Sequence, residues 1–329
     1  MLLAISPLSK AADEQCGASA WRHNASHETP TCNMPIVNAG QIGLGALAHR
    51  CAASNTPLLI RGLLKLPQWE SLQALGDRST LLSEFGDEEV HLSLSSFLNE
   101  RPESRSESLD GEKLSFMRER WGVSGGGSVF RRNLWQQVLA SEPRPRTSLG
   151  DAVKAMRDDD LPPGAYIFHN VSGSHVLAEA AEPLHSLLRH VWAVQPPTGA
   201  NPTSHRDTAS AAILMRLGVG GSGSGVGFHD HELAINLAFA GRKRWLVARP
   251  GKQQVPASSP EELLHRVLPS AAFQRPWRML GERGQTWDCT QTAGEMVFVP
   301  EHFLHATVNL DESLAVAVQC GDCSNRRLS

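Results

Sequence analysis

From Gly218 to Pro250 the chain reads Gly218-Val-Gly-Gly-Ser-Gly-Ser-Gly-Val-Gly-Phe-His229-Asp230-His231-Glu232, then Leu-Ala-Ile-Asn236-Leu-Ala-Phe-Ala-Gly241-Arg-Lys243-Arg-Trp245-Leu-Val-Ala-Arg-Pro250. A Gly/Ser run ends at a His-x-His pair, an apolar strand follows, a Gly turns the chain, and a basic-aromatic strand is closed by Pro. In a strand, alternate side chains point the same way, so His229 and His231 are predicted to share a face and to offer two imidazoles to one metal ion. A second strand, Glu295–Val299, runs into Pro300-Glu-His302-Phe-Leu-His305 and supplies a third. His305 is the expected third ligand, with His302 as the alternative beside the turn-making Pro300. Asp230 and Glu232 alternate to the opposite side of a regular strand, and only a bulge would re-aim them.

The rest of the chain supplies a large core. From Ala211 onward short strands follow one another at 211–217, 228–231, 233–240, 243–248, 285–290, 295–299, 306–310 and 314–319, separated by turn signals. Such a series predicts a mainly β fold with flanking helices, a double-sheet jelly roll of the cupin class. Upstream, helical spacing is read at Gln41–Cys51, near Ser79–Phe85, at Ser148–Met156 with Ser148 as N-cap, and around Ala178–Trp192. Strands are read at 57–61, 90–94 and 166–168, and the stretch 253–278 is read as a helical or irregular excursion. Residues 1–34 form an irregular, loosely held N-terminal segment. Residues 35–325 form one domain, interrupted by a charged Ser/Gly-rich insertion at about 99–128 that is read as solvated.

Composition narrows the function. Lys and Arg number 31 against 34 Asp and Glu, a net charge of −3 that gives no general grip on nucleic acid. No apolar run approaches the ~20 residues of a membrane-spanning helix. Met1–Lys10 lacks a basic leader and makes no clear signal peptide. Asn24-Ala-Ser26 and Asn170-Val-Ser172 fit the glycosylation acceptor pattern, which keeps the secretory lumen open beside the cytoplasm. Six cysteines in 329 residues do not make a disulfide-dense scaffold, and Cys320-Gly-Asp-Cys323 is read as a surface disulfide or two idle thiols. The Gly/Ser run lacks the Gly-Lys-Ser/Thr ending of a phosphate loop.

Four blocks together carry a family resemblance: Gly-Ser-Gly-x-x-Phe-His-x-His at 223–231, Gly-Arg-Lys-Arg-Trp at 241–245, Cys-Thr-x-x-x-Gly-Glu-x-x-x-x-Pro at 289–300, and His-Ala-Thr-x-Asn-Leu at 305–310. They resemble the JmjC branch of the cupin superfamily, and within it the group of JmjC domain-containing protein eight. The resemblance extends to Pro57–Gly62, Leu81–Asp87 and Tyr166–Phe168 and covers about residues 32–319, apart from the charged insertion. It implies a double-stranded β-helix that holds Fe(II) and 2-oxoglutarate and activates O2 for hydroxylation or demethylation.

The resemblance also implies roles for single residues. His229 and His305 match the family's two histidines, Lys243 the lysine that grips the 2-oxoglutarate carboxylate, Asn236 a polar position near metal or co-substrate, and Tyr166 a tyrosine on the same carboxylate. His231 departs from it, standing where the family carries Asp or Glu. Three neutral imidazoles supply one negative charge less, so Fe(II) is expected to bind more weakly and Zn(II), Ni(II) or Cu(II) to be relatively favoured. If Lys243 faces inward, its buried charge must meet an anion, and a dicarboxylate would serve; the alternatives are an internal ion pair, or a strand with Trp245 in the core and its basic residues in solvent. The expected activity is 2-oxoglutarate-dependent oxygenation of an unidentified protein or small molecule. The alternatives are a non-catalytic binding or scaffold protein, and a cupin-type metal enzyme using its ion as a Lewis acid.

Overall fold

The computed structural model describes residues 20–24, 32–66, 69, 73–93, 145–158, 160–161, 165–170, 182–194, 213–251 and 271–320. Thirteen strands occur among them: β1 (Ile36–Asn38), β2 (Leu58–Arg61), β3 (Glu89–Ser93), β4 (Arg146–Ser148), β5 (Tyr166–Asn170), β6 (Ile213–Gly220), β7 (Gly225–His229), β8 (Ala234–Ala240), β9 (Arg242–Ala248), β10 (Thr286–Thr292), β11 (Met296–Val299), β12 (Leu304–Asn309) and β13 (Ser313–Cys320). Five α-helices join them: α1 (Ala39–Ala52), α2 (Arg78–Phe85), α3 (Leu149–Arg157), α4 (Glu182–Val194) and α5 (Ala271–Glu282). The insertion at 99–128 and Cys323 lie outside the described residues.

The helix signals act as capping chemistry requires. Ser148 Oγ accepts from the Asp151 N–H at 3.0 Å to open α3, and Asp77 Oδ1 accepts from the Thr80 N–H at 2.8 Å to open α2. Between β8 and β9 the chain turns at Gly241 with φ +71°. A Cβ there would stand 2.1 Å from the Glu312 carbonyl oxygen, so only glycine fits.

The strands make two sheets. The larger has nine in the order β1-β2-β11-β8-β13-β6-β5-β3-β4, and the smaller four in the order β10-β9-β12-β7. Each is open: the order is linear, and no pairing joins β1 to β4 or β10 to β7. This corrects the expected mainly β jelly roll, or double-stranded β-helix. The architecture is mixed α/β with two separate sheets, neither closed into a barrel. The physical reason is that turn signals and alternation fix where strands lie but not which edges pair. Here β1 and β4 end the large sheet as three-residue strands, too short to carry a closing ladder.

Period-2 alternation sorts the large sheet into two faces. Ile60, Ile167, Leu217, Val219, Leu237, Val316 and Val318 point outward into the main core with Leu47 of α1, Leu81 of α2, Val153 of α3 and Leu187 of α4. Burying one such side chain contributes roughly 1.5–3 kcal/mol. The opposite face looks toward the small sheet. Leu59, Val297 and Val299 pack there against Trp245, Val247, Trp287 and Cys289. The small sheet's outer face, through Leu246, Ala306 and Val308, is covered by Trp277 of α5. Beside the apolar layer between the sheets, Lys243 of the small sheet reaches Tyr166 of the large one.

Two features tie the N-terminal segment to this frame. Cys32 and Cys289 form a disulfide across 257 residues, and Asn33 exchanges hydrogen bonds with the Asp288 backbone. Residues 20–24, within the segment read as loosely held, are pinned to the turn after β12. Arg22 pairs with the buried Glu312, while the Asn24 N–H and Arg242 both donate to the buried Asp311. Among the described residues no helix is long and apolar enough to cross a membrane.

Candidate metal and anion site

His229 ends β7 and lies directly opposite His305 of β12 in the antiparallel register. His231 comes two residues past the end of β7, outside any strand. It reaches the same place because the chain turns there, and its carbonyl accepts the His302 N–H at 2.9 Å. The expectation of one regular strand through 228–231 is therefore corrected: β7 starts earlier, at Gly225, and stops at His229. His302 is the one non-glycine residue of positive φ (61°) among the described residues, and it serves this turn.

The three rings converge. Their centroids are 5.2 Å (His229–His231), 4.2 Å (His229–His305) and 4.7 Å (His231–His305) apart, and their ligand atoms all lie within 4.8 Å of one another. Every Nδ1 meets a backbone carbonyl: His229 with Gly227 at 2.8 Å, His231 with Glu232 at 2.6 Å, His305 with Phe303 at 2.8 Å. A carbonyl only accepts, so each Nδ1 carries the proton and each Nε2 presents a lone pair, the tautomer of a metal ligand. Burial keeps the rings neutral. It lowers His229 to about 4 and His305 well below its ordinary value, and it lowers His231 as well. Such a group can coordinate a divalent metal ion. No carboxylate stands in it: Asp230 is exposed, and Glu232 falls with Glu301 and His302 in a separate cluster beside it. The cluster is thus three neutral imidazoles, and His302 belongs to the neighbouring group.

Next to the histidines, Trp245 stacks on His305 at 6.0 Å between centroids. Its indole N–H donates to Gln291 Oε1 at 2.8 Å, and Gln291 Nε2 donates to the Asn236 and Glu295 carbonyls, each at 2.8 Å. Gln291 is fully buried and fixes the wall against which His305 rests.

Lys243, on β9 opposite Asn309, is 1% exposed. Its Nζ donates to Tyr166 Oη at 3.3 Å, spanning from the small sheet to the large one. Among the described residues no carboxylate pairs with it, and burial alone lowers its pKa to about 7. Burial likewise raises the Tyr166 phenol above its ordinary value. The tyrosine lies flat because Gly218 lacks a side chain, whose Cβ would stand 2.2 Å from Tyr166 Oη. Asn236 is buried with its Oδ1 unpartnered, as is the Oδ1 of Asn309, whose Nδ2 donates to Ser224 Oγ at 2.9 Å.

Of the residues singled out by sequence, the structure gathers His229, His231 and His305 in one cluster, joins Lys243 to Tyr166, and buries Asn236 on β8. Asn309, Gln291 and Gly218 were missed. The signal for Asn309 was present, since 305, 307 and 309 share one face of β12 by alternation.

No protein-family model matches the chain. Among individual proteins, it is 29% identical to human (Homo sapiens) JmjC domain-containing protein 8 over 266 residues, covering 80% of this chain and 76% of that one. It is 33% identical to the mouse (Mus musculus) JmjC domain-containing protein 8 over 109 residues, 32% of this chain and 36% of the mouse protein. A shorter match, 32% over 92 residues, is to human 2-oxoglutarate and iron-dependent oxygenase JMJD4, covering 27% of this chain and 21% of that protein. With the histidine cluster, these similarities relate the chain to the JmjC domain proteins without fixing which member it corresponds to.

Proposed function

We propose that this chain is a JmjC-type oxygenase that binds a divalent metal on His229, His231 and His305 and 2-oxoglutarate on Lys243 and Tyr166. The observation that carries the reading is Lys243. A fully buried cation with no carboxylate partner among the described residues is costly unless an anion joins it. Nothing recommends that arrangement for stability, and a ligand carboxylate resolves it. The donor set fits the metal as well, because three Nε2 atoms on fixed tautomers leave three positions open on a six-coordinate ion.

When bound, iron supplies the redox chemistry by which O2 oxidises 2-oxoglutarate to succinate and CO2 and oxygenates a second substrate. The chain's own residues do the holding. Lys243 and the Tyr166 hydroxyl donate to the distal carboxylate. Asn236 offers an amide that, turned end for end, presents an N–H instead of its unpartnered oxygen. Trp245 and Gln291 keep the His305 ring oriented and exclude water from that side. The substrate is an unidentified protein or small molecule. Of the two compartments left open by the sequence, the Cys32–Cys289 disulfide supports the secretory lumen.

Coupled turnover of 2-oxoglutarate to succinate by iron-loaded protein, abolished by His305→Ala, tests this reading; no 2-oxoglutarate binding at any metal loading would overturn it. A second reading, a JmjC-related protein acting through contacts alone, is favoured by His231 in the carboxylate position. It requires that His229→Ala leave the cellular function intact.

A further inference from the structure

The strand that carries one end of the disulfide also builds the wall behind His305. On β10, Trp287, Cys289 and Gln291 alternate onto one face. Cys289 lies directly opposite Trp245 of β9 and packs in the same apolar cluster, while Gln291 accepts the Trp245 indole N–H at 2.8 Å. Trp245 stacks on His305, so it links Cys289 to a ring of the histidine cluster. The other end of the disulfide belongs to a segment that runs from one sheet to the other. After Cys32, the Asn33 N–H donates to the Asp288 carbonyl at 3.3 Å, and Asn33 Oδ1 accepts from the Asp288 N–H at 2.7 Å. Met34 is buried in the layer between the sheets, and the Pro35 carbonyl accepts from the Leu59 N–H at 3.0 Å. The chain then enters β1, which pairs with β2. Since β10 ends the small sheet and β1 ends the large one, this short segment clamps their margins together, and the disulfide is its covalent part.

We propose that the Cys32–Cys289 bond is a redox-sensitive switch on the metal site, a regulation that rests on the reading of His229, His231 and His305 as metal ligands. Oxidised, the bond holds the margin of β10 and keeps Trp245 and Gln291 in place against His305. Cys289 is fully buried and Cys32 only half-buried, so an incoming thiolate meets Cys32 first. The reductant is a dithiol. Its thiolate bonds to Cys32 Sγ, the Cys32–Cys289 bond breaks, and Cys289 leaves as a thiolate that takes up a proton. The second sulfur of the dithiol then displaces Cys32. The protein gains two electrons and two protons, and the dithiol becomes a disulfide. What remains at the margin is hydrogen bonding through Asn33, an exposed residue whose partners water can replace. The wall then slackens and the His305 ring is no longer held in its ligating orientation. Groups that orient a metal ligand from behind typically govern metal affinity by about 10–100-fold.

The test is Zn(II) affinity of the full chain, by competition with a chromogenic chelator, with circular dichroism of each protein to verify the fold. Oxidised wild type is compared with the paired variant Cys32→Ser, Cys289→Ser, which lacks both the bond and the thiols that would themselves take zinc. Leu187→Ala, in the main core on α4, serves as a control for general loss of stability. The paired variant should bind Zn(II) at least tenfold more weakly than oxidised wild type, and Leu187→Ala should match wild type. In zinc-free wild type, a dithiol should broaden the His305 ring signals in NMR, and reoxidation should sharpen them again. A loss below tenfold in the paired variant, an equal loss in Leu187→Ala, ring signals unmoved by reduction, or a bond-free form without folded circular dichroism overturns the switch and leaves the metal reading standing. Failure of oxidised wild type to bind Zn(II) overturns both.

Discussion

Replacing Lys243 by Met should make the ligand-free protein more stable while destroying its capacity to hold a dicarboxylate. Lys243 is 1% exposed, and burial lowers its pKa from an ordinary 10.5 to about 7. At about 1.4 kcal/mol per pKa unit, the charged form is disfavoured in the fold by roughly 4–5 kcal/mol. The unfolded chain keeps this proton up to pH 10.5, the folded chain only to about 7. Between those values the unfolded state binds more protons, so stability rises with pH across the window; below pH 7 both states hold the proton and the whole penalty stands. Methionine fills nearly the same volume, and the lost hydrogen bond to Tyr166 costs about 1 kcal/mol. The expected gain is about 3–4 kcal/mol at pH 6, shrinking to near zero at pH 9.5. Urea denaturation followed by fluorescence of the eight tryptophans at the two pH values measures it. Adding 2-oxoglutarate should stabilise wild type and leave Lys243→Met unmoved. If the variant were less stable than wild type by the same amount at both pH values, the unpaired buried cation would be refuted.

Other perturbations read other parts of the site. His231→Asp should restore a two-histidine, one-carboxylate face and tighten Fe(II) by tenfold or more, about 1.4 kcal/mol, in competition with a chromogenic chelator. Gly218→Ala places a methyl 2.2 Å from Tyr166 Oη and should weaken 2-oxoglutarate binding in calorimetry by displacing the phenol. Gln291→Leu leaves the Trp245 indole N–H without its partner, costing about 1–3 kcal/mol in urea denaturation and broadening the His305 ring signals in NMR. Cys32→Ser opens a 257-residue loop and should lose about 2–5 kcal/mol; reductant should lower the melting temperature of wild type but not of the variant.

Much of the site was legible because its residues sit on strands whose alternation is local. The basic-aromatic run at 242–248 left Lys243 open between an inward and a solvent-facing place, and the structure buries it along with Trp245. The Ser148 cap and the strand series after Ala211 were legible for the same reason. What was not legible depends on pairing between distant segments. Closure was expected from many short strands, but edge pairing is a property of the assembled sheets, which remain open. His231 was placed by strand alternation, yet it joins the cluster through a turn clamped by His302. The Cys32–Cys289 bond joins segments 257 residues apart, and nothing local to either cysteine announces the other.

Three histidines on fixed tautomers should make one metal site. Metal stoichiometry by elemental analysis, after anaerobic loading with Fe(II) and with Zn(II) and removal of free ion, tests it most directly when wild type is compared with His229→Ala and His305→Ala. One tightly held equivalent per chain is expected in wild type, with its loss in both variants, whose circular dichroism stays that of the folded protein. Metal well below one equivalent in wild type, or retained unchanged in both variants, would contradict it.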